Sequence, residues 1–393
     1  MPTPSLATAD LSNIHDSAVS NNADWSVVEI VTSSPYLAKL WPNTTVKVSP
    51  ANPNCHPDEN QDLCVTPTTP NIANTDQPPR KRAIGTRKSN KLPVPPFIDT
   101  HHHLWDLENN PYPWLMEPID HFVGDYSAIR KSWLIGDLHE GAKNVPLVKS
   151  VHVQAEWDHN ADPVGETAWL QSVADDPNSK GMPNAIIAYA NLSDPNVEGI
   201  LERHAQHANW RGIRHMLNWS DDKPNFRFAE AGDLMSDPQW LAGYKLLEKF
   251  NGSFEVQIWP WQLQEAAKLA NQIPEIQIVL GHAAMPIGRT PGDLREWRKG
   301  LEALGTAPNI SAKISALGMF DQKWTTDSIA PFVLDMIDIL GVDRCMFASN
   351  FPVDSLFSNY ETLWNAYDEI TSDFTDAERN KLFRTNAEQY YRI

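Results

Sequence analysis

From Pro95 onward the chain alternates short apolar runs with longer stretches in which apolar residues return every three or four positions. The runs are PFIDTHH (from Pro96), VKSVHVQAEW (from Val148), AIIAYANL (from Ala185), RGIRHML (from Arg211), SFEVQIW (from Ser253), IQIVLGHA (from Ile276), NISAKISAL (from Asn309) and RCMFASNF (from Arg344). They are short and rich in Val, Ile and Phe, which suits buried strands. Between them, NVEGILERHAQHA, QLQEAAKLANQI, SIAPFVLDMIDILG and the closing DAERNKLFRTNAEQYYRI have helical spacing. Strands alternating with helices make βα units and pair in parallel. Eight units predict an α/β fold, a (β/α)8 TIM barrel over residues 93–393.

The polar residues support the barrel. They gather at the C-terminal ends of the runs: His101 and His103, Gln154 and Glu156, Arg214 and His215, then His282, Lys313, Asn350 and Asp354. A structural layer would be apolar there, whereas this fold builds its active site at that face.

Residues 1–92 differ. They are rich in Pro, Asn, Thr and Ser, a composition that buries too little apolar surface to offset the entropy of ordering. They read as a low-complexity, mostly disordered extension. One stretch, Trp25 to Trp41, is apolar enough to dock as a short element, and the basic run from Arg80 to Asn90 reads as a solvated linker. Charge sharpens the division. The extension holds eight basic and eight acidic residues, so the net charge of -18 rests on the remainder. An acidic body disfavours nucleic acid. No apolar run is long enough to span a membrane. The first residues have neither a basic nor an apolar signal region, and the cysteines are three (Cys55, Cys64, Cys345). A reduced, cytoplasmic setting is expected. Oligomeric state leaves no mark in the sequence.

The stretch FIDTHHHLWD carries the densest chemistry. Side chains alternate along a strand, so His101 and His103 point into the barrel mouth and His102 points outward. Two imidazoles on one face suit a divalent metal such as zinc or manganese, or a polar hydrogen-bonded strand end. Asp99 shares the inward parity and is expected to orient an imidazole. Fifteen tryptophans are many, and several follow strands: Trp105, Trp157, Trp219, Trp259 and Trp261. Flat faces at the mouth suit a sugar or aromatic ring, and serve equally to pack long loops.

FIDTHHHLWD, VLGHAAMP, FASNFPVD and TNAEQYYRI together resemble the amidohydrolase superfamily. VHVQAEWD, GIRHML and VQIWPWQL resemble its amidohydrolase-related branch, which includes L-fuconolactonase-like and pyrone-dicarboxylate lactonases. The resemblance covers about residues 95–393. It implies a metal set of His101, His103 and His282, and an aspartate base on the eighth strand. Here that position is Asn350, and the usual fifth-strand histidine is Gln257. An amide cannot take a proton from water. The departure leaves a single metal or none, and the branch includes metal-free members.

The implied reaction is hydrolysis of a cyclic ester, a sugar or pyrone-like lactone, and a small anionic substrate is expected. Candidate bases are Asp354, Glu156 or a histidine such as His282. Asp354 serves otherwise as a helix cap. Candidate polarisers are Arg214, Lys313 and the imidazoles. His215, Gln154, Gln257 and Trp105 are expected to line the substrate site. Two other readings stand beside it: a decarboxylase or amide hydrolase of the wider superfamily, and a barrel that binds a ligand without turning it over.

Overall fold

A computed structural model describes residues 26–28, 46–48 and 94–393. Ser26–Val28 and Val46–Val48 pair as short antiparallel strands, with Ser26 opposite Val48. The first lies in the apolar stretch expected to form an element. The expectation of disorder elsewhere in residues 1–92 falls outside the described residues, as do Cys55, Cys64 and the basic run.

All eight expected strands are present: β1 Phe97–His102, β2 Leu147–Val153, β3 Ala185–Ala188, β4 Trp210–Met216, β5 Ser253–Gln257, β6 Ile278–Leu280, β7 Ile310–Ile314 and β8 Cys345–Phe347. Each pairs in parallel with the next in the chain. The main helices between and after them are α1 Ile135–Gly141, α2 Val164–Asp175, α3 Val197–Ala205, α4 Pro238–Lys249, α5 Leu263–Gln272, α6 Pro291–Gly305, α7 Thr326–Leu340 and α8 Tyr360–Ile370, with short helical pieces at Pro113–Met116, Asp376–Asn380 and Asn386–Tyr391. Local chemistry sets their ends. At α6, Thr290 accepts from the backbone of Asp293, whose carboxylate accepts from the backbone of Thr290. This reciprocal cap satisfies two amides the helix leaves open, and Pro291 fits the first turn. In α5, Leu263, Ala266, Ala267 and Ala270 turn one buried stripe toward the sheet.

The barrel closes along a seam between β1 and β8. His102 bridges to Phe351, just past β8. The Asn350 N–H donates to the His101 carbonyl at 2.7 Å, and the His103 N–H to the Phe351 carbonyl at 2.7 Å. Asp99 is buried in the same seam. It accepts from the Ser349 N–H at 2.9 Å, the Ser349 hydroxyl at 2.5 Å and the Tyr360 hydroxyl at 2.8 Å. It touches the backbone N–H of His101 but no imidazole ring. The expected inward parity fails because the pairing of β1 with β2 shifts register between Asp99 and His102.

Two layers of core flank the strands, and a third cluster gathers Trp105, Tyr112, Leu115 and Val123 after β1. The larger layer lies between strands and helices, where Phe97 stacks on Trp364 at 3.6 Å. Burying one such side chain contributes about 1.5–3 kcal/mol. The smaller fills the barrel interior with Ile98, Val151, Val153, Ile187, Val279 and Met346, and Tyr391 from the closing helical run caps it from below. That run, expected as one helix, is interrupted by a wider turn over Lys381–Thr385. No helix among the described residues is long and apolar enough to cross a membrane.

Candidate functional site

The C-terminal ends of the strands surround a cavity of about 170 Å³. Its polar side is formed by His103, Glu156, Arg214, Gln257, His282 and Asn350, and its apolar side includes Trp105, Trp114, Ile119 and Phe122. A larger cleft of about 360 Å³ lies on the flank between α1 and α8, but no imidazole lines it. The mouth cavity is therefore the candidate site.

Backbone geometry throws several of these side chains inward. Glu156, His282 and Asn350 have φ of 60°, 52° and 59°, a left-handed conformation unusual for side-chain-bearing residues. After β6 the strain is sustained: His282, Ala283, Ala284 and Met285 all have positive φ. Each such residue costs about 1–2 kcal/mol, so the surroundings must hold the turn. Part of the hold is the Trp297 indole, which donates to the Ala283 carbonyl at 3.0 Å. Strain of this kind concentrates at functional sites.

His101 and His103 face the same side of β1 as expected, with His101 just beneath the cavity. Their Nε2 atoms stand 3.2 Å apart, and the His101 ring lies 4.5 Å from that of His282. His103 Nδ1 donates to the Val153 carbonyl at 2.7 Å. A carbonyl only accepts, so the Nδ1 hydrogen is fixed and the lone pair of neutral His103 sits on Nε2. His101 then donates through Nε2. His282 Nδ1 meets the Ser315 hydroxyl at 3.2 Å. Burial holds all three imidazoles well below the ordinary histidine range. Neighbours reinforce it: the Arg214 cation beside His103, Arg214 and Lys313 beside His282, and beside His101 the His282 ring, whenever it takes a proton, and Lys313. All three are neutral at neutral pH. His102 points outward as expected, buried edge-to-face against His152.

Arg214 is 5% exposed and lines the cavity. It donates to the Gln257 side-chain oxygen at 3.1 Å and the Gln154 carbonyl at 2.5 Å, while its Nε has no partner among the described residues. It makes no ion pair with any described carboxylate. Gln257 is committed at both ends, its Nε2 donating to Asn218 at 3.2 Å. Gln154 does not contact the cavity but braces Glu156, donating to its carboxylate at 2.5 Å. Glu156 reaches the cavity through the turn after β2 rather than by strand parity. Burial works to raise its carboxyl, but His159 and Arg214 carry it below the ordinary value.

Besides Gln154 and His101, three expected site residues lie outside the cavity. His215 is on the outer face of β4, where it accepts from the Trp240 indole of α4 at 3.3 Å. Neighbouring strand residues face opposite ways, and here Arg214 takes the inside. Lys313 points into the barrel but below the cavity, with both Glu255 carboxylate oxygens at 2.6 Å. Tyr391 donates to the same carboxylate at 2.8 Å. Asp354 is buried behind Asn350, whose amide donates to it at 2.6 Å. Burial pushes its carboxyl up to about 7. It does not cap α8; Asn359 does. The sequence reading missed Ser315, Trp114, Ile119, His121 and Phe122. The last four lie in the long β1–α1 connection, and its cluster of aromatic residues is the signal that marks it.

The donors do not make a complete metal set. His101 and His103 converge as a pair, but among the described residues no three His, Cys, Asp or Glu side chains stand together as ligands. His282 does not join the pair as a third. Position 350 offers an amide, and Gln257 is already engaged. A catalytic zinc uses three protein ligands, and the donors gathered here fall short of that set.

Comparison with known proteins gives a consistent result. The amidohydrolase family model matches residues 98–393. A protein of Sinorhizobium fredii, y4mH, of uncharacterised activity, is 44% identical over 298 residues, covering 76% of this chain and 98% of the relative. An L-fucono-1,5-lactonase of Burkholderia ambifaria is 24% identical over 310 residues, covering 75% of this chain and 95% of that protein. In structure, an amidohydrolase from Burkholderia multivorans with bound zinc superposes with a TM-score of 0.63 at 24% identity, covering 76% of this chain and 99% of that one.

Proposed function

The chain belongs to the amidohydrolase family, and we propose that it is a hydrolase that opens a cyclic ester by attack of water at its barrel mouth. The observation that carries this reading is Arg214, a buried guanidinium with no carboxylate partner, beside three neutral imidazoles. A buried charge with no carboxylate in contact, only Glu156 and others at longer range, is costly. In this reading it stabilises the negative charge that an ester carbonyl develops. The distant likeness to L-fucono-1,5-lactonases supports the same class.

In the proposed reaction, Ser315 accepts from His282 Nδ1–H, which leaves the lone pair on Nε2 in the cavity. His282 takes a proton from water. Asn350 orients that water through Oδ1, because Asp354 holds its amide nitrogen. The water oxygen bonds to the carbonyl carbon, and the carbonyl π pair moves to oxygen, facing Arg214. Collapse expels the ring alkoxide, which takes the proton back from His282. The product is an open hydroxy acid. Decarboxylation and amide hydrolysis in this superfamily lean on a metal and an aspartate at position 350, so the donor set disfavours them.

The test is a panel of lactones with purified protein, dialysed against chelator and then supplemented with zinc or manganese. Turnover is expected without added metal. His282→Ala should lower kcat about 10²–10⁴-fold, the range for a lost general base. If no lactone is opened under either condition, the reading is wrong and a ligand-binding barrel becomes the better account.

A further inference from the structure

The roof of the cavity differs in chemistry from its floor. It comes from the β1–α1 connection, where Trp114, Ile119, His121, Phe122 and Val123 reach over the mouth. Phe122 crosses to the far side, its ring 5.7 Å from those of Phe228 and Trp259. Trp105 and Trp114 line the same space, but their indole N–H groups are spent. Trp105 donates to the Lys131 carbonyl at 2.7 Å and Trp114 to the Ala155 carbonyl at 2.9 Å. His121 stacks on Trp114 at 5.8 Å, and its Nδ1 accepts from the Val123 N–H at 3.3 Å.

The floor is committed as well. Gln257 is engaged by Arg214 and Asn218, the Asn350 amide nitrogen by Asp354, and the Glu156 carboxylate by Gln154 and His159. What remains on the floor are His282 Nε2, Asn350 Oδ1 and the Arg214 edge, which the ester and its water consume, and in the roof the single Nε2–H of His121.

Resting on the lactonase reading above, we infer that the substrate is a small lactone with a flat apolar ring face, an aryl-fused or alkyl-bearing lactone, rather than a polyhydroxylated sugar lactone. A sugar lactone would bring several hydroxyls under a roof that offers one imidazole N–H, so most of them lose water without gaining a partner. An aromatic ring loses nothing polar and gains face and edge contacts with Trp114 and Phe122. The volume of about 170 Å³ is below that of drug-sized sites, about 300–1,000 Å³, and suits one small ring system.

The experiment compares 3,4-dihydrocoumarin with L-fucono-1,5-lactone on the full chain. It follows hydrolysis by proton release and binding by quenching of tryptophan fluorescence. The aryl lactone should be favoured in kcat/KM by about 100-fold, as expected when one substrate leaves polar groups unpaired. Trp114→Ala and Phe122→Ala should each raise its KM about tenfold, the scale of a lost aromatic contact. Equal or better turnover of the sugar lactone would overturn the inference while leaving the lactonase reading intact. Binding of the aryl lactone without turnover of either compound would sink the hydrolytic reading and keep the choice of ring. Neither binding nor turnover of the aryl lactone would end the inference.

Discussion

Two buried cations occupy the interior of one barrel and are treated in opposite ways. Lys313 is low in the barrel, clamped by both oxygens of Glu255 and closed over by Tyr391. Arg214 is at the mouth, with neutral oxygens as its partners. The lower charge is neutralised by the fold, and the upper charge is left for an incoming group. Burial alone therefore does not mark a functional cation; what matters is whether the protein has already supplied its anion.

The largest effect that would test the contrast is at the closed pair. Lys313→Met should destabilise by about 3–5 kcal/mol, because it leaves Glu255 buried without its partner. Chemical denaturation measures this, and adding Glu255→Leu should recover most of it. If Lys313→Met instead kept its stability and lost activity, Lys313 would belong to the site. At the open charge, Arg214→Leu should lower kcat/KM about 100–1,000-fold while the unfolding midpoint holds or rises. A large loss of stability there would mean that Arg214 is structural after all.

The smallest effect is on pH. Burial depresses His101, His102, His103, His152 and His282, so their contribution is present above about 6.5, the ordinary histidine value, and is lost as pH falls below it. Asp99, Asp354 and Glu166 of α2, which is buried and accepts from the Ala155 N–H and the Tyr112 hydroxyl, run the other way. Burial raises them to about 6, 7 and 7, so their contribution is present below the ordinary carboxyl value and is lost as pH rises through 6 to 7. Each group changes stability by at most about 1.4 kcal/mol per pH unit. Where the two sets overlap, the five imidazoles outweigh the three carboxyls. The melting temperature should therefore be lower at pH 5 than at pH 7, and a rise on acidification would show the carboxyls in control.

The barrel was legible because its signal is local. Apolar runs recur eight times with helical spacing between several of them, and the direction of His101 and His103 follows from alternation along one strand. What depends on distant partners was not legible. Nothing near Lys313 announces Glu255, which is two strands away around the barrel, or Tyr391 beneath it. The same alternation that placed His101 misplaced Asp99, because a register shift intervenes. In GIRHML one of Arg214 and His215 had to face outward, and only the packing of Trp240 decides which. The roof was hidden for another reason: Trp114 to Val123 lies in an irregular connection whose residues follow no period.

The seam between β1 and β8 has a consequence for how activity is gained and lost. His101 and Asn350 meet across it, 249 positions apart in the chain. The reacting groups thus exist as a site only when the two ends of the barrel have found each other. An intermediate holding one half of the sheet would own some of the side chains and none of the catalysis. During refolding, catalysis should return together with this longest-range contact and lag any probe of helix content. During unfolding it should vanish as soon as the seam parts, which makes turnover a direct gauge of whether the ring of strands is whole.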